Sequence, residues 1–269
     1  MNAVEGQAGG WSRMNGRRVA LVLAHPGHEL RLHGCLERLK PRVYILTDGS
    51  GHAARSRLDQ SLLLLQATGA NPGNLFGRFT DRALYALLMS NETAIWPALA
   101  ETLAADLLAH GIDTVIADGF EGFNPAHDLC RLLAEAAATR LQSRGRPVAQ
   151  FAFPLDGPPS GQPAVPGPEA LVLPLTPAEL ARKRAAALNY PALAGDIQQA
   201  VNRYGWEGFE AEWLFPAGQT QLPPPGWRPY YEIHGEHQVA GGVYDRVLRY
   251  QEQFQPAARA LRMAADRNP

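Results

Sequence analysis

The sequence predicts an α/β fold: a Rossmann-like, mostly parallel sheet with helices on both faces. Across residues 18–155, short apolar runs rich in β-branched residues alternate with longer runs of helical periodicity. Continuous apolar strands are the kind buried on both faces of a parallel sheet. In addition, several strand runs break at their carboxyl ends into loops carrying histidine, glycine or aspartate, which is where open α/β sheets gather their ligands.

The elements follow in order. Arg18 to Ala24, "RVALVLA", is a buried strand, and it breaks at His25-Pro26. Pro26 fits the first position of a helix, and a helical pattern runs from about Glu29 to Leu39. "RVYILTDGSG" is a second strand with a glycine-rich loop. "ARSRLDQSLLLLQATG" is a helix closed by Gly69 just past its end. "ETAIWPALAETLAADLLAHG" is another, entered from Ser90-Asn91 and closed by Gly111. "DTVIADGFEG" is a strand, "NPAHDLCRLLAEAAATRL" begins as a loop and becomes a helix, and "PVAQFAFPL" is a strand. Beyond it lies a Pro/Gly-rich loop, Asp156 to Glu169. A short strand "ALVLPL" comes next, then a helix whose Thr176-Pro177-Ala178-Glu179 start is a capping box with proline at N1. "QTQLPPPGWRP" is irregular, and an amphipathic helix from about Tyr244 to Met263 ends the chain. There is no internal repeat. With 269 residues, 46% of them hydrophobic, one domain spanning 1–269 is expected. Residues 1–17 would be a mobile tail, and 156–269 a less regular part closing the pocket.

Composition narrows the function classes. Lys+Arg 25 against Asp+Glu 26 leaves no basic excess, which argues against a nucleic-acid partner. Cys35 and Cys130 share no CxxC spacing and suit a reduced, cytoplasmic chain with both thiols acting as small apolar groups. The start "MNAVEGQAGGWSRMNGRR" has no apolar run of a signal peptide, and no run is long enough for a membrane span. A homo-oligomer is left open.

The chemistry is in the histidines. His25 stands at a strand end and His28 three residues on, so both face one side of the following turn. Two imidazoles so placed can clamp a divalent metal ion such as zinc. His127, at the start of a helix after another strand, is the best third ligand, and three histidines plus water make an open catalytic site. The competing reading is that these are surface or capping histidines. His33 is read as lying behind the site or simply exposed, and His52 as able to reach the cleft. His110 closes a helix whose carboxyl end favours a cation. His234 and His237 are three apart in a segment read as irregular.

Several motifs together resemble those of the PIG-L/LmbE-like N-deacetylases. "LAHPGHE" resembles the family's AHPDDE signature, and "LTDGSG" its Thr-x-Gly-x-Gly loop. Arg57, Gln60 and Gly69 match an R-x-x-E…G helix, and "FTD", ending at Asp81, a substrate-side aspartate. "GFNPAHD" resembles the second metal motif, HPDH, and "KRAAALNY" a late Lys…Tyr helix. The likeness covers about residues 18–190. It implies a Rossmann-like fold, zinc or another divalent transition metal as cofactor, and hydrolysis of an N-acetyl group on an amino sugar or glycoconjugate. Carried over by position, His25, His28 and His127 are the metal ligands, with His28 standing where the family has aspartate. Gly27 occupies the place of the general-base aspartate, while Asn124 and Ala126 replace a histidine and an aspartate. The ligands survive in type while the proton-transfer groups do not.

A neutral imidazole in place of a carboxylate raises the charge of a metal site by one unit, which favours ionising water near neutral pH. A general acid for the leaving amine would still help. Glu121 and Asp128 are the catalytic candidates, each with a structural alternative: a solvated loop carboxylate for Glu121, a helix cap for Asp128. Glu29 suits an orienting role and Asp48 a turn or a catalytic one; Arg55 and Arg57 suit an anionic part of the substrate or are ordinary surface cations, and Asp81 is substrate-side by the resemblance. Tyr204, Trp206, Phe209, Trp213 and Trp227 suit stacking on sugar rings or ordinary packing. Three readings therefore stand: a metal-dependent amide hydrolase; a metal-binding relative without hydrolysis, serving as a ligand-binding or scaffold module in a glycan or natural-product pathway; and a nucleotide-binding protein. The third is weakened by the absence of a Gly-rich phosphate motif.

Overall fold

The computed structural model describes residues 8–51, 54–160 and 170–266. Five strands run parallel: β1 (Val19–Leu23), β2 (Arg42–Thr47), β3 (Asn71–Phe79), β4 (Thr114–Asp118) and β5 (Ala149–Phe153). Two more, β6 (Leu171–Pro174) and β7 (Ala211–Pro216), extend the sheet antiparallel beyond β5. The order is β3-β2-β1-β4-β5-β7-β6. The expected fold is therefore present: a mostly parallel sheet sandwiched between helices.

Alternation along β1 makes two cores out of one strand. Val19, Leu21 and Leu23 enter one cluster; Ala20, Val22 and Ala24 enter the other. The first face is covered by α1 (His33–Leu39) and α2 (Leu58–Thr68), through Leu36, Leu64 and Leu65. The second is covered by α3 (Asp81–Met89), α4 (Ile95–Ala109) and α5 (Pro125–Ser143), with Leu84, Trp96, Leu103, Leu129 and Leu133 inward. Every residue of β1 and of β4 is buried, as a central strand with helices on both sides requires. In the second half, α6 (Pro177–Leu188) begins at the expected Thr176–Glu179 capping box. It is followed by α7 (Ala194–Tyr204), α8 (Tyr230–Ala240) and α9 (Gln255–Asp266).

Some expectations need correction. Pro26 is not the first residue of a helix: it lies in a turn, and Gly27, at φ 106, leads into a 3-10 helix at His28–Leu32 before α1. β3 escaped the sequence reading because Pro72, Gly73 and Gly77 interrupt it, and such residues sit on edge strands. α3, α7, α8 and β7 were also missed. His234 and His237 thus lie on a helix rather than in an irregular segment. The last helix starts later than Tyr244, with a π-helical turn at Tyr250–Phe254 leading into α9. The stretch expected as a tail includes a 3-10 helix, Ala8–Met14, whose Trp11 and Met14 are buried. No helix among the described residues is long and apolar enough to cross a membrane, and Cys35 and Cys130 are buried free thiols.

Candidate functional site

Three loops meet at the carboxyl ends of β1, β2 and β4, and they bring His25, His28 and His127 together. The ring centres are 5.3 Å apart for His25 and His28, 5.2 Å for His25 and His127, and 4.6 Å for His28 and His127. The ring planes stand at 84°, 67° and 87° to one another.

The local folding explains each position. β1 ends at Leu23, and the backbone turns through Gly27, whose φ of 106 suits glycine and few others. That turn presents His25 and His28 on one side. His127 lies in the first turn of α5, where Asn124 caps the helix by accepting from Ala126 N at 2.8 Å and Pro125 takes N1. Asn124 therefore has a structural role at the position where the resemblance has a histidine.

Hydrogen bonds fix two ring orientations. His25 Nδ1 lies 2.7 Å from Thr47 Oγ1 and 3.1 Å from Asp81 Oδ1. Thr47 donates its own hydrogen to the Ala24 carbonyl, so His25 Nδ1–H is the donor and Nε2 keeps a free lone pair. His28 Nδ1 donates to Asp118 Oδ2 at 3.0 Å, and the same oxygen accepts from Ala24 N at 2.7 Å. Burial, reinforced by the neighbouring imidazoles, holds His28 and His127 well below their ordinary pKa. Neutral imidazoles are the form that binds metal. Burial pushes the Asp118 carboxyl up to about 6, against the pull of His127, the Ala24 N–H and His25.

Three buried polar atoms here have no hydrogen-bond partner among the described residues: His25 Nε2, His127 Nδ1 and Asp118 Oδ1. Buried polar atoms left without partners are costly, and three of them on the side chains of one cluster call for a ligand. Three imidazoles on a tetrahedral ion at ~2.0–2.1 Å have ring centres roughly 5 Å apart, which is the spacing found. Among the described residues, however, no group of three or more His, Cys, Asp or Glu has its donor atoms placed to hold a metal ion.

Around the cluster, Glu29 is fully buried and clamps the turn: one oxygen accepts from Gly27 N at 2.7 Å, the other from the Ser61 hydroxyl. Ser61 in turn meets Tyr190 Oη at 3.0 Å, and Tyr190 donates to the Arg57 carbonyl at 3.3 Å. Leu193 closes the turn from above: a Cβ at Gly27 would sit 2.1 Å from its Cδ1. The Arg57 guanidinium lies against Gly49, within 2.5 Å of where a Cβ there would be, and its Nε is buried and unpartnered. Asp81, besides its contact with His25, accepts from Gly51 N at 2.7 Å.

Among the described residues, Glu121 and Asp128 hydrogen-bond only to backbone. Asp128, fully buried, accepts from Glu121 N at 2.8 Å and Gly122 N at 3.1 Å. Glu121 accepts from Leu155 N and Asp156 N, and burial pushes its carboxyl up to about 7. Neither carboxylate hydrogen-bonds the imidazoles. Asp48 accepts from Ser50 N at 2.9 Å, a local turn bond. Of the proposed stacking residues, Trp227 packs on Tyr250 with ring centres 4.9 Å apart, and Phe209 lies under the Arg31 guanidinium. His33 is buried beside Glu37, and His110 closes α4 with its ring on the Asp106 carbonyl. His52 lies outside the described residues, as do residues 161–169 of the Asp156–Glu169 loop.

The sequence places the Thr47–Gly51 and Asp118–His127 loops at these strand ends but gives Thr47 and Asp118 no role, and it does not show Ser61 or Leu193. Thr47 and Asp118 were legible as the last residues of β2 and β4, where side chains face the loops. Ser61 and Leu193 carried no local signal, since their contacts span from 32 to 166 residues of chain.

No protein-family model matches the sequence, and no curated protein matches it. Solved structures do. A conserved protein from Thermus thermophilus, TT1542, is 19% identical, covers 79% of this chain and 99% of its own, with a TM-score of 0.54. The A40926 pseudoaglycone deacetylase Dbv21 is 17% identical over 77% of this chain and 99% of its own, TM-score 0.53. The zinc-inhibited form of the teicoplanin deacetylase Orf2 is 11% identical over 75% of this chain and all of its own (100%), TM-score 0.51. The likeness is one of fold. This chain has the α/β scaffold on which those deacetylases are built.

Proposed function

We propose that the chain is a hydrolase dependent on a divalent transition metal that removes an N-acyl group from an amino-sugar-containing small molecule or glycoconjugate. The observation that carries this reading is the triad of imidazoles with two orphaned buried nitrogens at the mouth of the sheet. The deacetylases of like fold support it. His25, His28 and His127 are the ligands in this reading. Zinc suits three imidazoles, but the neighbour in a zinc-inhibited form keeps other divalent ions in view.

When bound, the ion supplies Lewis acidity toward the acyl carbonyl and acidifies water. The chain does the rest. Thr47 and Asp81 hold His25, and Asp118 holds His28, each fixing Nδ1 as the protonated nitrogen and leaving Nε2 for the ion. Glu29 holds the turn that sets the spacing of the first two rings. Arg57, beside the glycine loop, is the group to hold an oxygen-rich part of the substrate, with Asp81 on the same rim. Glu121, pushed up to about 7, is the candidate to give a proton to the departing amine. Asp128 fixes the loop that carries it.

One feature favours a second reading, a metal-binding protein without hydrolysis. Gly27 offers no carboxylate beside the ligands, and Leu193 occupies the space one would need. The deciding experiment loads the purified chain with zinc, cobalt or manganese, measures bound metal, and assays acetate release from N-acetylglucosamine and N-acylated glycopeptides. The hydrolase reading expects about one metal per chain and acetate release, both lost in His127→Ala. Metal uptake without acetate release would establish the second reading, and failure to take up any metal would overturn both.

A further inference from the structure

At the opposite end of the parallel strands from the histidines, roughly 17 Å away along β1, lies a wide, open depression of about 420 Å³, with Arg17, Arg18 and Lys40 exposed on it. We propose that it binds a small organic phosphate monoester. Its walls come from the starts of β1, β2 and β3 and the ends of α1 and α4, and they bring Arg17, Arg18, Lys40 and Arg42 to one opening. This concentration is local, since the chain as a whole carries a net charge of −1.

Only part of that charge is compensated. Asp106 lies 2.7 Å from Arg42 Nε, and Asp113 lies 3.8 Å from Arg17 Nη1. The side chains of Arg18 and Lys40 have no acidic partner among the described residues. Four cations against two carboxylates leave an excess of two positive charges, matching a phosphate monoester dianion. Leu39, Pro72 and Ile112 line the same depression and offer an apolar wall to an organic group.

Lys40 supplies a second, independent sign. It closes α1 in the left-handed conformation, φ 47, with its backbone N–H on the Leu36 carbonyl. Glycine is the residue suited to that place, because a Cβ is strained there. Lys40 takes that conformation although it is not glycine, and its ammonium pairs with nothing among the described residues. Its stem runs over Gly69, where a Cβ would come within 3.5 Å, and this directs the chain along the rim of the depression.

The test is calorimetric titration with glucose 6-phosphate, inorganic phosphate and glucose at low ionic strength, on the wild type, Arg18→Gln, Lys40→Gly and His127→Ala. The expected result is saturable binding of glucose 6-phosphate, at least tenfold weaker binding of inorganic phosphate, and none of glucose. Arg18→Gln and Lys40→Gly each weaken the sugar phosphate about tenfold. Lys40→Gly leaves Tm unchanged or raises it, which separates lost recognition from lost structure. His127→Ala binds as the wild type does, so the result is independent of the metal reading. Undiminished binding in both Arg18→Gln and Lys40→Gly, loss of binding in His127→Ala, or response to a polyanion such as heparin but not to glucose 6-phosphate would each overturn the proposal.

Discussion

His28 Nδ1 and Asp118 Oδ2 lie 3.0 Å apart, and the aspartate is wholly buried while its second oxygen has no partner among the described residues. A carboxylate behind an imidazole fixes the tautomer and makes the outer nitrogen more basic. Asp118→Asn keeps the shape and removes the charge. It should weaken metal affinity by ~10–100-fold, the usual cost of losing such a partner. Chelator competition on wild type and variant measures this; equal affinities would mean that His28 is not a ligand.

The turn at Gly27 is locked twice, by its φ of 106 and by Leu193. Gly27→Ala should cost roughly 1–3 kcal/mol, from the backbone strain and from overpacking against the leucine. Adding Leu193→Ala to that variant should recover the packing part and leave the strain. Urea denaturation of the four-member cycle gives the coupling, and strictly additive effects would show that the two residues do not compete for one space.

Glu121 gives a pH dependence with a definite sign. Burial, the largest cause, pushes its carboxyl up to about 7, with the Asp118 and Asp156 charges adding and backbone N–H groups of Asp156 and Leu155 opposing. A folded-state pKa above the ordinary value means that folding favours the protonated form. Its contribution is complete at acid pH, below the ordinary range of a glutamate, and is lost as pH rises through about 7. Glu121's share of the stability should therefore fall between pH 5 and pH 8, against the opposite trend of His28 and His127, whose lowered pKa makes folding favour the neutral form. Glu121→Gln should remove that share from the Tm profile and leave the share of buried Asp128, also near 7, which acts in the same direction. A Tm profile that Glu121→Gln leaves unchanged would contradict the assignment.

Lys183 and Glu212 form a buried ion pair at 2.8 Å, and Glu212 also accepts from Gly34 N and Cys35 N at the start of α1, each at 2.8 Å. Lys183→Met strands the carboxylate and should cost about 3–5 kcal/mol. Lys183→Met with Glu212→Gln should cost less, since the amide oxygen still accepts from one of the two N–H groups and carries no charge. Guanidinium denaturation distinguishes the two variants.

The central sheet was legible because β1, β2 and β4 are largely apolar, β-branched runs bounded by turn residues, and the capping box at Thr176 named its helix start outright. β3 was not, because Pro72, Gly73 and Gly77 mask an edge strand whose pairing to β2 supplies what local propensity lacks. β7 was lost for a related reason: its alternation is short, and it becomes a strand through β5 and β6 on either side. At the site, the meeting of His25, His28 and His127 followed from strand-end logic. The groups that aim them did not: Thr47 and Asp118 look in sequence like ordinary strand termini. Leu193 lies 166 residues beyond the turn that it closes.

The antiparallel edge imposes a timetable on the nascent chain. β6 is synthesised before β7, yet β7 lies between β5 and β6 and is the only strand among the described residues to which β6 is joined. Until Ala211–Pro216 has left the ribosome, Leu171–Pro174 has no place in the sheet and β5 is its open border. A pause in translation between those two segments would leave an apolar strand and an unfilled border exposed together, the condition in which neighbouring copies on a polysome pair with each other instead.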